Sequence, residues 1–132
     1  MKKIILLFTF LMINTSPCFS AHLYLEKEYQ GQWCKAQKGQ LEYILNDKAR
    51  IDCLTDNYAI EFDFASKWAE SIGQALYYAL STGKAPGVVL IMENPEKDVK
   101  YLNRLNDVAK KYNIKVWTMT PQDMPPQREC RK

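Results

Sequence analysis

The sequence predicts an α/β protein whose central mixed β-sheet is flanked by helices. Two alternating stretches joined by a short polar turn indicate a β-hairpin. After the hairpin, amphipathic helical stretches alternate with short continuous apolar runs, an order typical of parallel strands that are buried on both faces. In chain order we expect a hairpin, a helix, a strand, a helix and a strand, over residues 50–64, 65–82, 87–93, 95–112 and 114–119.

The hairpin is predicted from the alternation of polar and apolar side chains in RIDCL (50–54) and YAIEFDF (58–64), with Thr-Asp-Asn between them. Successive side chains of a strand point to opposite faces. Glu61 and Asp63 therefore share the face opposite to the aromatic side chains, roughly 6.5 Å apart along the strand. If the two strands pair in register, Asp52 lies beside Glu61.

The other elements are predicted from the spacing of apolar residues and from residues that commonly begin or end a helix. Ser66 can cap the helix over 65–82 and Gly83 can end it, while 95–112 carries an apolar stripe at helical spacing. GVVLIME and IKVWTM are the continuous apolar runs, and the helix between them makes them parallel neighbours joined by a crossover. Before the hairpin, 38–47 predicts a short helix, and the stretch in front of it predicts a short helix or an extended piece.

The first 21 residues have the layout of a secretory signal peptide, with a basic start, an apolar run over 4–13 and small residues before a cleavage point after Ser20. The apolar run is too short to span a membrane. An uncleaved anchor and a lipid attached at Cys18 are the alternatives. We therefore expect an exported protein, periplasmic or secreted, with no membrane association once the signal is removed. The chain then divides into a signal peptide (1–20), a single domain (21–120) and a loose C-terminal tail (121–132).

Charge and composition narrow the classes of function. The 18 basic side chains fall to 16 once Lys2 and Lys3 are removed, against 15 acidic ones, so the net charge is about +1. This balance gives no strong electrostatic attraction for nucleic acid, and such a partner would need a local groove. His22 is the only histidine and lies in the chain terminus, which argues against histidine-ligated zinc hydrolases and Ser-His-Asp catalysis.

Three cysteines remain after removal of the signal, and an odd number leaves one without a partner. Cys53 lies in an apolar strand and is expected to be a small core residue. A Cys34–Cys130 disulfide is one option in an exported chain. No Cys-x-x-Cys pair is present, which argues against a zinc ribbon or a thioredoxin-type site.

Acidic side chains among apolar ones are the most informative feature of the chain. Asp52, Glu61 and Asp63 converge at the hairpin, and convergent carboxylates repel one another unless a divalent cation or a proton lies between them. Lys67 and Gln74 lie on one stripe of the following helix, whose N-terminus favours a phosphate. Carboxylates for a hard metal beside a lysine are suited to phosphodiester hydrolysis.

These residues, in this order, resemble the PD-(D/E)xK (restriction-endonuclease-like) nuclease superfamily, in the branch with a Gln-x-x-x-Tyr signature on the helix after the active-site hairpin. The resemblance covers about residues 38–119. It implies that Glu42 is the helix glutamate and Asp52 the strand aspartate of the family. Glu61 is then the first residue of the (D/E)xK pair, and Gln74 and Tyr78 are the helix signature.

One position departs from the family pattern, because Asp63 stands where the family has its lysine. Lys67 could supply the ammonium from the helix, or a further carboxylate could strengthen metal binding. The third option is a site that no longer catalyses and a fold retained for binding. The departure therefore bears on catalysis more than on the fold.

The resemblance implies a metal-dependent nuclease that uses Mg²⁺ or Mn²⁺ and acts on DNA rather than RNA. Asp52 and Glu61 would ligate the metal, with Glu42 or Asp63 as a further ligand. Lys67 would stabilise the attacking water or the transition-state charge. Gln74 would position either the attacking water or the nucleic acid, and Arg50 and Tyr78 would also contact nucleic acid. The alternative is a catalytically inactive binding or structural module, and the sequence leaves a homodimer open.

Each candidate residue also has a purely structural interpretation. Asp52 could form an ion pair with Arg50 or Lys67. Glu61 and Asp63 could be the solvated face of an edge hairpin. Glu42 could be an ordinary surface glutamate of a helix. Gln74 could hydrogen-bond a backbone group, and Tyr78 could serve only for packing.

Overall fold

A computed structural model describes residues 22–126, in which one five-stranded sheet carries helices on both faces. The elements are α1 (Glu26–Ala36), β1 (Gln40–Ile44), β2 (Arg50–Leu54), β3 (Tyr58–Phe64), α2 (Trp68–Thr82), β4 (Ala85–Ile91), α3 (Pro95–Tyr112) and β5 (Lys115–Met119). The strands lie side by side in chain order; β1, β2 and β3 pair antiparallel, and β3, β4 and β5 pair parallel. The predicted α/β class, mixed sheet and parallel last strands are confirmed. The predicted signal peptide and Cys130 lie outside the described residues.

Residues 38–47 contain strand β1 and not the helix that their sequence predicted. Leu41 pairs with Cys53 and Tyr43 pairs with Ile51, so this stretch is the first strand of an antiparallel meander. The helix that precedes the sheet is α1 instead. Long-range pairing with β2 has overridden the local helical pattern.

Helix α2 begins later than predicted and ends where predicted. Residues Ala65–Lys67 form a 3₁₀ turn, so Ser66 does not cap the helix, whose first residue is Trp68. Gly83 ends the helix with a φ of +69°, a left-handed conformation that glycine adopts without steric cost. Lys67 therefore lies on the turn between β3 and α2, at the edge of the helix.

Different helices bury the two faces of the sheet. On one face, Tyr29 of α1 packs in a cluster with Phe62 of β3. On the other face, Ala75 of α2 and Leu105 of α3 pack in a cluster with Leu90 of β4. This two-sided burial explains the continuous apolar sequence of β4. Within the described residues, no helix combines the length and apolar character that a membrane crossing requires.

A disulfide joins Cys34 of α1 to Cys53 of β2, with 5.8 Å between the two Cα atoms. Both residues are fully buried. Cys53 is thus a core residue, as predicted, but it is disulfide-bonded, and Cys34 is not available for the Cys34–Cys130 bridge. Sequence spacing could not show this pairing, because it depends on where α1 packs on the sheet.

We expect Gly39→Ala to lower the free energy of unfolding by about 1–3 kcal/mol, because an added methyl group would overpack the disulfide. A Cβ at residue 39 would lie 2.6 Å from Cys53 Sγ and 2.8 Å from Cys34 Sγ. Urea unfolding of the oxidised protein measures the change. Gly31→Ala is the control: its Cβ would meet nothing within 4 Å in α1, so we expect a gain of about 0.5–1 kcal/mol. Equal effects at both positions would contradict the close contact.

Both ends of the described chain pack against the domain. His22, expected to be a tail residue, stacks on Phe64 with 3.6 Å between ring centroids, and its Nδ1 lies 2.8 Å from Glu93 Oε2. At the other end, Pro121–Asp123 form a 3₁₀ turn and Met124 packs against the core. This differs from the loose tail that the prolines predicted, as far as the structure describes it.

Candidate active site

The candidate site lies where strands β2 and β3 stop pairing. The ladder between them is made at Cys53 with Ile60 and at Leu54 with Ala59. One step further along, the Phe62 amide donates to Asp52 Oδ2 at 2.8 Å. A carboxylate therefore takes the place of a main-chain acceptor, and Asp52 is held between the two strands by the backbone of its neighbour.

Asp52 and Glu61 are hydrogen-bonded to each other at this point, as an in-register hairpin predicted. Burial, followed by the charges of Asp52 and Asp63, raises the pKa of Glu61 well above its ordinary range. Burial also raises the pKa of Asp52, although the Phe62 N–H and the bond to Glu61 oppose the shift. The pair thus retains a shared proton at neutral pH.

Glu61 is 5% exposed, and its Oε2 is a buried oxygen without a hydrogen-bond partner in the described chain. Such an orphaned acceptor costs free energy that the fold does not recover from protein contacts. The interpretation of Glu61 as part of a solvated edge therefore does not hold. β3 is a central strand of the sheet, covered by helices on both faces.

Asp63 shares the burial of Glu61, at 4% exposed. Burial raises the pKa of Asp63 to about 7, the charge of Glu26 adds to the shift, and the positive charge of Lys67 opposes it. Asp63 is therefore close to half-ionised at neutral pH. The position where the resemblance expects a lysine is filled by a second buried acid.

Glu26, at the start of α1, is a member of the cluster that sequence reasoning missed. Burial and then the charge of Asp52 raise the pKa of Glu26, and Lys67 lowers it. Gln30, one turn further along α1 and almost fully buried, donates from Nε2 to Glu26 Oε1 at 3.2 Å. If residues 40–44 are taken as a strand, the helix before the sheet is the one over 26–36. Its acidic residues, Glu26 among them, then become candidates for the helix glutamate.

Lys67 is exposed on the turn that follows β3. Its charge lowers the pKa of Asp63 and of Glu26, so it lies within electrostatic reach of both. Among residues 22–126 it forms no salt bridge within 4.0 Å. The structural interpretation of an Asp52–Lys67 ion pair is therefore wrong, and the ammonium faces solvent beside the carboxylates.

The two residues of the helix signature lie one turn apart on α2, where Gln74 is exposed and Tyr78 is buried. Tyr78 is buried in a cluster with Ile51 and Ala59, and its hydroxyl is hydrogen-bonded to the side chain of Gln74. Burial and then the charge of Glu61 raise the pKa of Tyr78. The phenol therefore packs through its ring, and its hydroxyl lies within electrostatic reach of Glu61.

Glu42 lies in β1 and not on a helix as the resemblance implied. Its carboxylate is about half exposed and lies 3.7 Å from the Arg50 guanidinium, which is also largely exposed. Glu42 has a φ of +50°, so β1 is distorted opposite Asp52. Its charge contributes to the raised pKa of Asp52, after burial, but the side chain itself stands on the surface.

Asp52 and Glu61 of the hairpin are thus hydrogen-bonded, and Asp63 and Glu26 lie near enough to influence them by charge; these four acids are called the cluster. Within the described part of the chain, no group of three or more histidine, cysteine, aspartate and glutamate side chains is arranged to hold a metal ion. In comparisons with known proteins, the chain matches no protein-family model, no curated protein and no solved structure. The chemistry of the site is inferred from its own residues.

We expect Asp63→Asn to remove a loss of stability that the wild-type protein suffers as the pH rises from about 4 to 7. The folded carboxyl has a pKa of about 7, against 3.8 for the ordinary group, so the unfolded chain releases this proton first and is favoured above pH 4. The gain above pH 7 should be on the order of 2 kcal/mol, because the effective dielectric constant is high even at buried sites in proteins and reduces the cost of the charge.

Thermal melting between pH 4 and 8 measures this effect, and the two proteins should melt together at pH 4. Asp56→Asn is the control, because it makes the same chemical change at an exposed turn. A variant that melts below the wild type at pH 8 would show that the Asp63 carboxylate stabilises the fold.

Proposed function

We propose that the protein is a divalent-metal-dependent nuclease that hydrolyses phosphodiester bonds, with DNA as the substrate. The observation that carries the proposal is the hydrogen-bonded Asp52–Glu61 pair, in which Glu61 is buried with an unpartnered oxygen, beside Asp63 and Glu26. Burying several acids in one place is costly unless a cation compensates for it. The proposal accounts for this cost by giving the acids a ligand.

The donor chemistry suits Mg²⁺ or Mn²⁺, because all the available donors are hard carboxylate oxygens. Binding would have to draw at least three of these side chains together, since they do not surround a common point in the part of the chain that the structure describes. Asp52 and Glu61 would hold the metal, with Asp63 or Glu26 as the further ligand. We give Glu26 this role in place of Glu42, since Glu26 comes from the helix before the sheet and is buried toward the cluster. When bound, the metal would lower the pKa of a water molecule and neutralise charge on the phosphate.

The surrounding residues would hold the acids and the substrate in place. The Phe62 amide fixes Asp52, and Gln30 fixes Glu26. Lys67 would attract the phosphodiester and stabilise negative charge that develops on it. Gln74 and Tyr78 would orient the nucleic acid beside the cluster, and Arg50, exposed at the rim, would contact a phosphate.

The order of these residues also supports a restriction-endonuclease-like core. A helix glutamate, a strand aspartate, a pair of acids on the next strand and the Gln-x-x-x-Tyr helix follow one another along the chain. The basic and apolar start of the sequence supports export to the periplasm or to the medium, where a nuclease could act on external DNA.

The test uses the mature chain, residues 21–132, purified in oxidised form. We expect it to cleave supercoiled and linear DNA with Mg²⁺ or Mn²⁺, to be silenced by a chelator, and to be less active on RNA of equal length. The metal alone should raise the melting temperature. At a metal concentration 100 times the dissociation constant, the added free energy of unfolding should be about 2.7 kcal/mol. Absence of both cleavage and a metal-induced shift would refute the proposal.

A second candidate is a non-catalytic module that keeps the fold for binding. The identity of residue 63 favours it. A carboxyl is either neutral or negatively charged, so Asp63 cannot supply the positive charge of the lysine ammonium that the family has at this position. This candidate predicts that the protein binds DNA and slows its migration in a gel, but does not cleave it with Mg²⁺, with Mn²⁺ or without metal. Retention without cleavage would therefore select it over the nuclease.

A further inference from the structure

The Cys34–Cys53 disulfide connects the two elements that bring the acids of the candidate site together. Cys34 lies on α1, eight residues and roughly two helical turns after Glu26. Cys53 is the neighbour of Asp52 in β2. One covalent bond therefore fixes the distance between the helix that carries Glu26 and the strand that carries Asp52.

Helix α1 also packs on the sheet through aromatic side chains. Tyr29 is buried in the cluster that contains Phe62, and Trp33 contacts Phe62 and Trp117. Glu26 lies at the start of the helix, where its hydrogen-bond partner is Gln30 of the same helix. The disulfide adds the covalent link between this helix and β2.

The packing around the sulfurs leaves little room for a reduced pair. Both cysteines are fully buried, and Gly39 lies so close that a Cβ there would approach each Sγ to less than 3 Å. Two separate thiol sulfurs need more space than a bonded pair, whose sulfurs are about 2.05 Å apart. We therefore expect reduction to move α1 away from β2.

We propose that Cys34 and Cys53 are positioning residues for the carboxylate cluster, and that the cluster is assembled only in the oxidised protein. As a statement about nuclease activity, this rests on the proposed function. Thiols stay reduced in the cytosol and form disulfides after export. The nuclease would therefore be idle before export and competent outside, which would protect DNA in the compartment where it is made.

The redox step is thiol–disulfide exchange with an oxidising protein disulfide. A thiolate of one cysteine attacks that disulfide and displaces one of its sulfurs as a thiolate. The second cysteine then attacks the mixed disulfide. The two cysteines lose two electrons and two protons to become one disulfide, and the partner disulfide becomes two thiols.

The experiment compares the oxidised protein, the protein reduced by a thiol, and Cys34→Ala/Cys53→Ala, all in a Cys130→Ser background. Cleavage rate, the Mg²⁺ concentration for half-maximal melting shift, and amide exchange in residues 26–36 are measured below the melting temperature of each protein. Losing the bond should weaken Mg²⁺ binding and cleavage by about 10-fold or more, and α1 should exchange faster. Re-oxidation should restore the Cys130→Ser protein and leave the alanine variant unchanged.

Leu105→Ala separates positioning from stability. It removes a fully buried side chain of α3 on the other face of the sheet, so it lowers the melting temperature without touching α1. Its Mg²⁺ response and α1 exchange should match those of the parent protein. If the alanine pair does not fold, the same comparison is made with Gly73→Ala added in α2 and an excluded osmolyte present.

The outcomes are distinct. If the reduced protein keeps its Mg²⁺ affinity, cleavage and α1 protection, or if Leu105→Ala loses Mg²⁺ affinity to the same degree, the positioning role is overturned. If the oxidised protein neither cleaves DNA nor responds to Mg²⁺, the proposed function fails. In that case α1 exchange alone decides whether the disulfide positions the cluster.

Discussion

Asp52→Asn is expected to reduce metal-dependent DNA cleavage by at least about 100-fold, since even the outer partners of metal ligands contribute 10–100-fold. Asparagine keeps an oxygen to accept the Phe62 amide, so the connection between β2 and β3 survives. What is lost is a negative charge at the centre of the cluster. Because this charge raises the pKa of Glu61 and of Glu26, its removal also relieves repulsion in the metal-free protein.

The same substitution should therefore raise the melting temperature in the presence of a chelator, by about 3–6 °C if the relief is close to 1 kcal/mol. Stability and activity then change in opposite directions, as is typical of residues kept for function. A carboxylate that served only to hold β2 against β3 would behave differently. Its replacement would lower the melting temperature and leave the response to Mg²⁺ unchanged.

The comparison needs melting curves with and without Mg²⁺ and a cleavage time course for each protein. Asp107→Asn is the matched control, because it makes the same chemical change on the exposed side of α3. We expect it to cleave DNA and bind Mg²⁺ like the wild type. A loss in Asp107→Asn equal to that in Asp52→Asn would show that net charge, and not the cluster, governs activity.

Local pattern was enough to predict the centre of this fold. Alternation within 50–54 and within 58–64 predicted the hairpin, and the apolar runs GVVLIME and IKVWTM predicted two parallel strands, because each signal is contained within one element. Asp52 and Glu61 could be brought together for the same reason. Their meeting depends only on the register of a hairpin with a three-residue connection.

The first third of the domain could not be predicted in this way. QLEYI is compatible with a helix and with a strand, and its pairing with β2 decides the matter. The Cys34–Cys53 bond likewise depends on where α1 packs on the sheet. A helix predicted over 38–47 makes Glu42 the helix glutamate, whereas a strand there leaves that role to Glu26 of α1.

Substitution of the two glutamates tests which of them serves the candidate site. Glu26→Gln is expected to lower cleavage at least about 10-fold and to raise the Mg²⁺ concentration needed for it. Glu42→Gln should leave both within about twofold, because an exposed ion pair contributes little. The physical difference is burial: Glu26 is half-buried against the acids and bonded to Gln30, whereas Glu42 faces solvent beside Arg50.

Glutamine is the right replacement at both positions because it preserves shape and removes only the charge. Cleavage is measured over a range of Mg²⁺ concentrations, so that a loss of metal affinity is separated from a loss of maximal rate. At Glu26 the loss should be largely overcome by high Mg²⁺, since Asp52 and Glu61 still provide ligands. If Glu42→Gln proves the more damaging of the two, the surface-exposed strand would hold the functional acid, and the role of α1 in the site would be wrong.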